Sequence, residues 1–308
     1  MRKRQIGSLS VSVIGLGTNN FGFTMAEDAV LPVVDAALEA GINFFDTADS
    51  YLTSEQRCRS ALGSRRDDIV LATKFGSQVD SEITGGAAGA YVRQAVERSL
   101  SQLGTDRIDL YQLHKPDDTV PIAETLGVLN ELVDEGKVIE IGCSNFSAKQ
   151  LREAEVAAGT GARFVSVQNH YSLLERADET EALPVCAELG LSYLPYFPLA
   201  NGLLTGKYRR GAAVLEGSRI DKWQMADRVL TAANFDVLER LEAWAQEREH
   251  TLLELAFAWL LATPEVASVI AGATTPEQIR ANAFAGSWEL TMEEAEEVRK
   301  LTASSTVA

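Results

Sequence analysis

The feature that most constrains this chain is an alternation of two patterns along its 308 residues. Short segments rich in β-branched and apolar residues recur at Val13–Leu16, Asn43–Asp46, Ile69–Lys74, Ile108–His114, Ile139–Ser144, Val165–Asn169, Leu191–Pro195 and Val266–Ala271. Helical patterns separate them at Ala26–Ala40, Ser54–Leu62, Tyr91–Leu103, Ile122–Glu135, Ala148–Ala157 and Glu179–Leu189, with Asn234–Arg248 and Leu252–Leu261 in the longer final interval. Strands alternating with helices join through right-handed crossovers, so the repetition predicts a parallel sheet. With no break in composition, the pattern favours one α/β domain over residues 1–308, a closed (β/α)8 TIM barrel, rather than an open doubly wound sheet. A hairpin-like stretch near Gln5–Ser12 precedes the repeats, and the basic residues 1–4 read as a disordered leader.

Helix starts support this register. Thr24–Glu27, Ser147–Gln150 and Thr291–Glu294 each have the spacing of a capping box, in which side chain and backbone satisfy each other's orphan donors. Two long connections, Gly76–Gly89 and Tyr208–Gln224, would follow strands three and seven of the barrel and so lie at its catalytic face. Only the second carries cations suited to a phosphate, among them Arg209, Arg210 and Arg219.

The charge balance narrows the partners. Acidic residues outnumber basic ones, 44 to 28, for a net charge of −16. With no long basic run to reverse it locally, that field argues against nucleic acid as a partner. No apolar run is long enough for a membrane span, and no secretory signal opens the chain. Cys58, Cys143 and Cys186 are widely spaced and form no CxxC pair, so buried thiols in a reducing, cytoplasmic setting are expected. With three histidines and no metal-binding spacing, no metal is expected.

Asp46, Lys74 and His114 end three successive predicted strands, and Tyr51 lies just beyond the first of them. In a barrel those ends are neighbours, so residues distant in sequence converge on one pocket. Hydride addition to a carbonyl leaves negative charge on oxygen, which needs a proton donor and hydrogen-bond donors. Tyr51 can supply the proton, the Lys74 ammonium is expected to lower the tyrosine pKa, Asp46 to hold Lys74 charged, and His114 to orient the carbonyl. Singly, each residue also has an ordinary reading: a strand cap for Asp46, a solvated lysine, a rim histidine, a loop aromatic. Their joint placement favours the chemistry. No GxGxxG follows the first strand, which argues against a Rossmann cofactor site.

At these positions the chain resembles the aldo-keto reductase family. The matching passages are GINFFDTAD at Gly41–Asp49 with Tyr51, LATK at Leu71–Lys74, LGTDRIDLYQLH at Leu103–His114, GKVIEIGCSNF at Gly136–Phe146 and LANGLLTGKY at Leu199–Tyr208. The resemblance extends from about Leu9 to Leu301. It implies a (β/α)8 barrel that reduces an aldehyde or ketone, or oxidises the alcohol, using NADPH, with NADH as the alternative and no metal. It implies Tyr51 as general acid, tuned by Lys74 and Asp46, with His114 orienting the carbonyl. It places Ser144, Asn145 and Gln168 at the nicotinamide carboxamide and Tyr196 against its ring. Leu203, Gly206, Lys207 and Arg219 match the phosphate-contacting loop, and Gly272, Thr274, Gln278 and Asn282 the adenosine-phosphate segment. Within that last segment, Thr275 and Pro276 also have the order of an N-cap followed by the first helical residue.

The chain departs from relatives just after Tyr51. Its connection to the next helix is two residues shorter than in many, and Cys58-Arg59 stands where they carry Leu-Gly. A displaced Tyr51 is the risk, because an error of about 1 Å at a reacting group costs about 100-fold. Asn20, Phe21 and Trp223 are candidates to line the substrate pocket. A small-molecule carbonyl is the expected partner and a monomer the default for this fold, with an oligomer left open. The alternatives are a nicotinamide-binding regulatory or interaction subunit and a sugar-nucleotide keto reductase.

Overall fold

The computed structural model describes residues 1–83 and 85–302. Its strands are β1 (Lys3–Ile6), β2 (Leu9–Ser12), β3 (Ile14–Gly17), β4 (Phe44–Asp46), β5 (Val70–Phe75), β6 (Ile108–Leu113), β7 (Val138–Ser144), β8 (Phe164–His170), β9 (Ser192–Tyr196) and β10 (Val269–Gly272). β1 and β2 form an antiparallel hairpin, while β3 to β10 form an eight-stranded sheet in the order β10-β3-β4-β5-β6-β7-β8-β9. Every pairing in that sheet is parallel. It closes where Tyr193 of β9 accepts from Ala267 at 3.0 Å and donates to Glu265 at 2.7 Å. The fold is a (β/α)8 TIM barrel with helices between its strands, as the alternation predicts.

Side chains alternate along each strand, so the barrel interior is layered. The lower layer is apolar: Phe44, Ala72, Leu110, Leu194 and Ile270 pack with Ile6, Leu9 and Val11 of the hairpin, which covers this end. Two residues further along, the same strands present Asp46, Lys74, Gln112, Tyr196 and Gly272. One register therefore yields a dry floor and a polar layer above it.

The hairpin reaches closer to the N-terminus than expected. Lys3 and Arg4 belong to β1 and pair with Ser12 and Val11, so the leader assigned to residues 1–4 is partly a strand. The physical reason is Arg4, whose guanidinium donates to the Leu261 carbonyl at 2.7 Å and also to Val266. These carbonyls lie at and just beyond the C-terminus of the helix Leu252–Leu261, where a cation is favourable.

Capping geometry sorts the expected helix starts. Reciprocal capping boxes form at Ser147/Gln150 and Thr291/Glu294, and a further one at Thr251/Glu254 was not anticipated. Thr24 instead follows the C-terminus of a short helix, Asn19–Phe23, and its hydroxyl turns back to Asn20 rather than toward Glu27. The next helix, Val30–Glu39, starts after a single 3-10 turn at Glu27–Ala29.

Candidate active site

The polar layer is built around Asp46, which is 3% exposed, and Lys74, which is fully buried. Lys74 Nζ donates to Asp46 Oδ2 at 2.5 Å and to the Thr47 carbonyl at 2.9 Å. The other carboxylate oxygen, Oδ1, accepts from Gln112 Nε2 at 3.1 Å and Gln168 Nε2 at 3.0 Å. A buried charge pair is costly unless its remaining lone pairs are satisfied, and here two amides from facing strands satisfy them. Gln112 was absent from the sequence-derived set. It lies two residues before His114, on the same face of β6, and this alternation was the signal that could have found it.

Tyr51 sits above this pair. Lys74 Nζ lies 5.2 Å from the centroid of its ring, and His114 meets it edge-on with centroids 5.7 Å apart. The shortened connection after Tyr51 closes with Leu52 in the left-handed region, φ 50°. The Tyr51 carbonyl accepts from Ser54 at 3.0 Å. Gly22 packs so closely from the opposite side that a Cβ there would stand 1.8 Å from the Tyr51 oxygen. Arg57 ties the same short helix down by donating to the Phe21 and Met25 carbonyls. Cys58 is fully buried, whereas Arg59 runs outward over Gly104 and donates to the Ser101 carbonyl. The Cys58-Arg59 replacement thus puts a thiol in the core and a guanidinium at the surface.

Electrostatics revise one expectation. Burial pushes the Tyr51 pKa above its ordinary value, and although Lys74 lowers it, the Asp46 carboxylate adds to the rise. Tyr51 therefore keeps its proton at neutral pH more firmly than the Lys74 ammonium alone would allow. For Lys74, burial works against charge, but Asp46 and Tyr51 outweigh it and raise its pKa. Burial, with help from Lys74 and Lys115, lowers the His114 pKa to about 3. At neutral pH the site presents a neutral phenol, a neutral imidazole and an ammonium.

From this layer a cleft of about 1010 Å³ runs across the C-terminal face. Asp46, Tyr51 and His114 line one part of it, and Ser144, Asn145, Gln168, Tyr196, Lys207, Arg219, Gly272, Thr274, Gln278 and Asn282 extend the wall. Ser144 donates to the Gln168 carbonyl at 2.7 Å, and Asn145 donates to the His114 carbonyl at 2.9 Å. Tyr196 donates to Asn145 Oδ1 at 2.8 Å and stacks on His170, which fixes the plane of its ring. Further along, Arg219 is flanked by the rings of Phe197 and Trp223 and donates to Asn20 Oδ1 at 3.1 Å. Burial and then the charge of Arg219 lower the Lys207 pKa. Among the described ion pairs neither cation has a carboxylate partner. At the start of the helix Pro276–Ala285, Thr275 caps Gln278 and Pro276 occupies the first turn, while Gln278 Oε1 accepts from Thr274 N at 2.8 Å.

Three expected residues lie elsewhere. Leu203 is 1% exposed and packs in the hydrophobic core, and Gly206 turns the chain at φ 77° beside it; Asn201, Gly202 and Thr205 face the cleft from this segment instead. Phe21 is fully buried, whereas Asn20 and Trp223 line the cleft. For Leu203 and Phe21 the apolar side chain is claimed by the core under the loop. None of the described residues of Gly76–Gly89 lines the cleft, although Leu215–Arg219, Lys222 and Trp223 from the second long connection do. A cleft lined by Lys207, Arg219 and Lys222, none of them in a described ion pair, and by neutral amides suits a dinucleotide.

The family model described as "Aldo/keto reductase family" matches residues 13–303. The chain is 35% identical to an NADH-specific methylglyoxal reductase of Escherichia coli (strain K12), over 92% of this chain and 93% of that protein. It is also 35% identical to a probable aldo-keto reductase 1 of Glycine max, over 90% of this chain and 80% of that protein. Among solved structures it is similar to the holo form of aldo-keto reductase AKR11C1 from Bacillus halodurans, with a TM-score of 0.82 and 34% identity, covering 100% of this chain and 97% of that one.

Proposed function

The chain belongs to the aldo/keto reductase family of nicotinamide-dependent oxidoreductases, and we propose that it reduces a small aldehyde or ketone with Tyr51 as the proton donor. The observation that carries this reading is the meeting of Tyr51, His114 and the buried Lys74–Asp46 pair in one wall of the dinucleotide-sized cleft. The bound nicotinamide supplies the hydride. Tyr51 gives its proton to the carbonyl oxygen as negative charge grows there, and the nearby ammonium of Lys74 stabilises the phenolate left behind. His114, neutral at working pH, orients that oxygen by hydrogen bonding rather than by charge. Asp46 holds Lys74, and Gln112 and Gln168 hold Asp46.

Ser144, Asn145 and Gln168 are the proposed carboxamide contacts, with Tyr196 offering its face to the ring. Because Gln168 commits its amide nitrogen to Asp46, its Oε1 is the atom left for that contact. Lys207 and Arg219 meet the phosphates, while Leu203 and Gly206 serve by shaping the backbone of that segment. At the adenosine end Gly272, Thr274, Gln278 and Asn282 offer only neutral groups. A charged hydrogen bond adds about 1.5–3 kcal/mol, so without a cation there the 2′-phosphate of NADPH gains little over NADH. The specificity printed in the Escherichia coli relative's name supports acceptance of NADH and points to small dicarbonyls.

Cofactor oxidation by the purified protein, followed by absorbance with a panel of aldehydes and ketones that includes methylglyoxal, tests both levels. Turnover is expected with either cofactor, at kcat/KM values within about tenfold of each other, a difference of about 1.4 kcal/mol. Oxidation with no carbonyl would sink the reductase reading, and a preference for NADPH above a hundredfold would sink the neutral reading of the adenosine end.

A further inference from the structure

Two buried carboxyl groups flank Tyr51 along the chain, Asp49 and Glu55, and neither lines the cleft. Both face the helix Gly89–Leu103, which turns Tyr91, Arg98 and Ser99 toward them from one side. Arg98 Nη2 donates to Asp49 Oδ2 at 2.9 Å and to the Tyr91 hydroxyl at 3.3 Å. Glu55 Oε1 accepts from Thr73 Oγ1 at 2.6 Å, directly before Lys74 on β5, and the backbone N–H of Asp49 donates to the Lys74 carbonyl at 3.1 Å. The cluster is thus bonded to the Tyr51 segment and to the Lys74 strand.

Its composition is expensive. Asp49 Oδ1, Arg98 Nε and Tyr111 Oη are buried without hydrogen-bond partners among the described residues. Each such atom costs about 1–3 kcal/mol, and apolar residues of similar volume would often serve stability as well or better. The segment it grips includes Leu52, which is 61% exposed and left-handed.

We propose that Asp49, Glu55 and Arg98 are positioning residues that hold Tyr51 against Lys74 through the helix Gly89–Leu103. This rests on the reading of Tyr51 as the proton donor. The two acids share one cation. Besides Arg98, the ionisable groups around them are Tyr91 from the same helix, Tyr111 from β6 and Cys58 from the helix of Glu55, while Lys74 is committed to Asp46. Burial pushes Asp49 up to about 6 and Glu55 up to about 7. Both values are raised, so the stability gained from protonation is present in acid and lost as pH rises from the ordinary carboxylate range through about 7. A second negative charge then develops beside the first, and the hold on the Tyr51 segment weakens.

Steady-state kinetics of the full chain with NADH and 4-nitrobenzaldehyde from pH 6 to 8, with thermal unfolding alongside, test the proposal. Wild-type kcat is expected to fall at least threefold across this range. Glu55→Gln keeps an acceptor for Thr73 but cannot ionise, and its profile is expected to be flatter, with a folded protein at every pH. Asp49→Ala, which removes the acceptor for Arg98 in either protonation state, is expected to lose ten- to a hundredfold in kcat while the KM for NADH stays within twofold. A Glu55→Gln profile that parallels the wild type, or an Asp49→Ala enzyme with wild-type kcat, would overturn the proposal while leaving wild-type turnover intact. Absence of wild-type turnover would instead remove the reductase reading and this one with it.

Discussion

The inner polar layer and the outer cleft solve different problems with different backbone. Asp46, Lys74, Gln112 and Gln168 sit on regular strands, buried, with their hydrogen bonds directed at one another. The outer cleft is irregular: Asn145, Phe197 and Asn201 line it with positive φ, and Ala200 and Gln224 beside it share that conformation. Non-glycine residues in that region cost about 1–3 kcal/mol each and persist only where the surroundings impose them. Two of its cations, Lys207 and Arg219, repel each other rather than pair with acids among the described residues. The inner layer is complete as it stands, whereas the outer cleft carries charge and strain that an anionic ligand would relieve. The ordered polar network belongs to the sheet and the strained, charged wall to the loops.

That division can be broken by mutation. The largest effect is expected from Tyr51→Phe, which removes only the hydroxyl of the proposed proton donor: kcat should fall by about 10²–10⁴, with cofactor affinity by fluorescence titration held within about threefold. A parallel loss of affinity would merge the two regions. Gly22→Ala comes next, because its new methyl collides with the Tyr51 carbonyl. A shift of about 1 Å in the phenol would cost about 100-fold in kcat, and unchanged turnover would show that the short helix Asn19–Phe23 yields instead. Arg219→Ala is expected to act in the opposite sense and more weakly, raising the cofactor KM about tenfold through loss of a charge-assisted contact while kcat changes little. The wild-type KM should also rise with ionic strength, and an Arg219→Ala enzyme with unaltered KM would remove this arginine from the phosphate contacts.

How much was legible in the sequence follows the same divide. Strand periodicity located Asp46, Lys74 and His114 because a position at a strand end is a consequence of counting residues. Gln112 was legible by the same alternation but lacked an obvious chemical role until Asp46 Oδ1 needed a second donor. The loops were harder. Leu203 and Phe21 stand in segments that border the cleft, and only tertiary packing decides that their apolar side chains turn into the core. Thr24 has capping-box spacing yet follows a helix, because a hydroxyl can turn back to a carbonyl as readily as forward to an amide. The Tyr51 pKa failed for a different reason: sequence identifies the neighbouring charge but not the burial that outweighs it.

The apolar floor formed by the hairpin carries a final consequence. Ile6, Leu9 and Val11 close the barrel beneath Asp46 and Lys74, and among the described residues the cleft opens to Asp46 from the mouth. Under the proposed reaction, each proton surrendered by Tyr51 would be replenished through the opening by which the alcohol departs, so recharging of the acid and escape of the product would share a single gate.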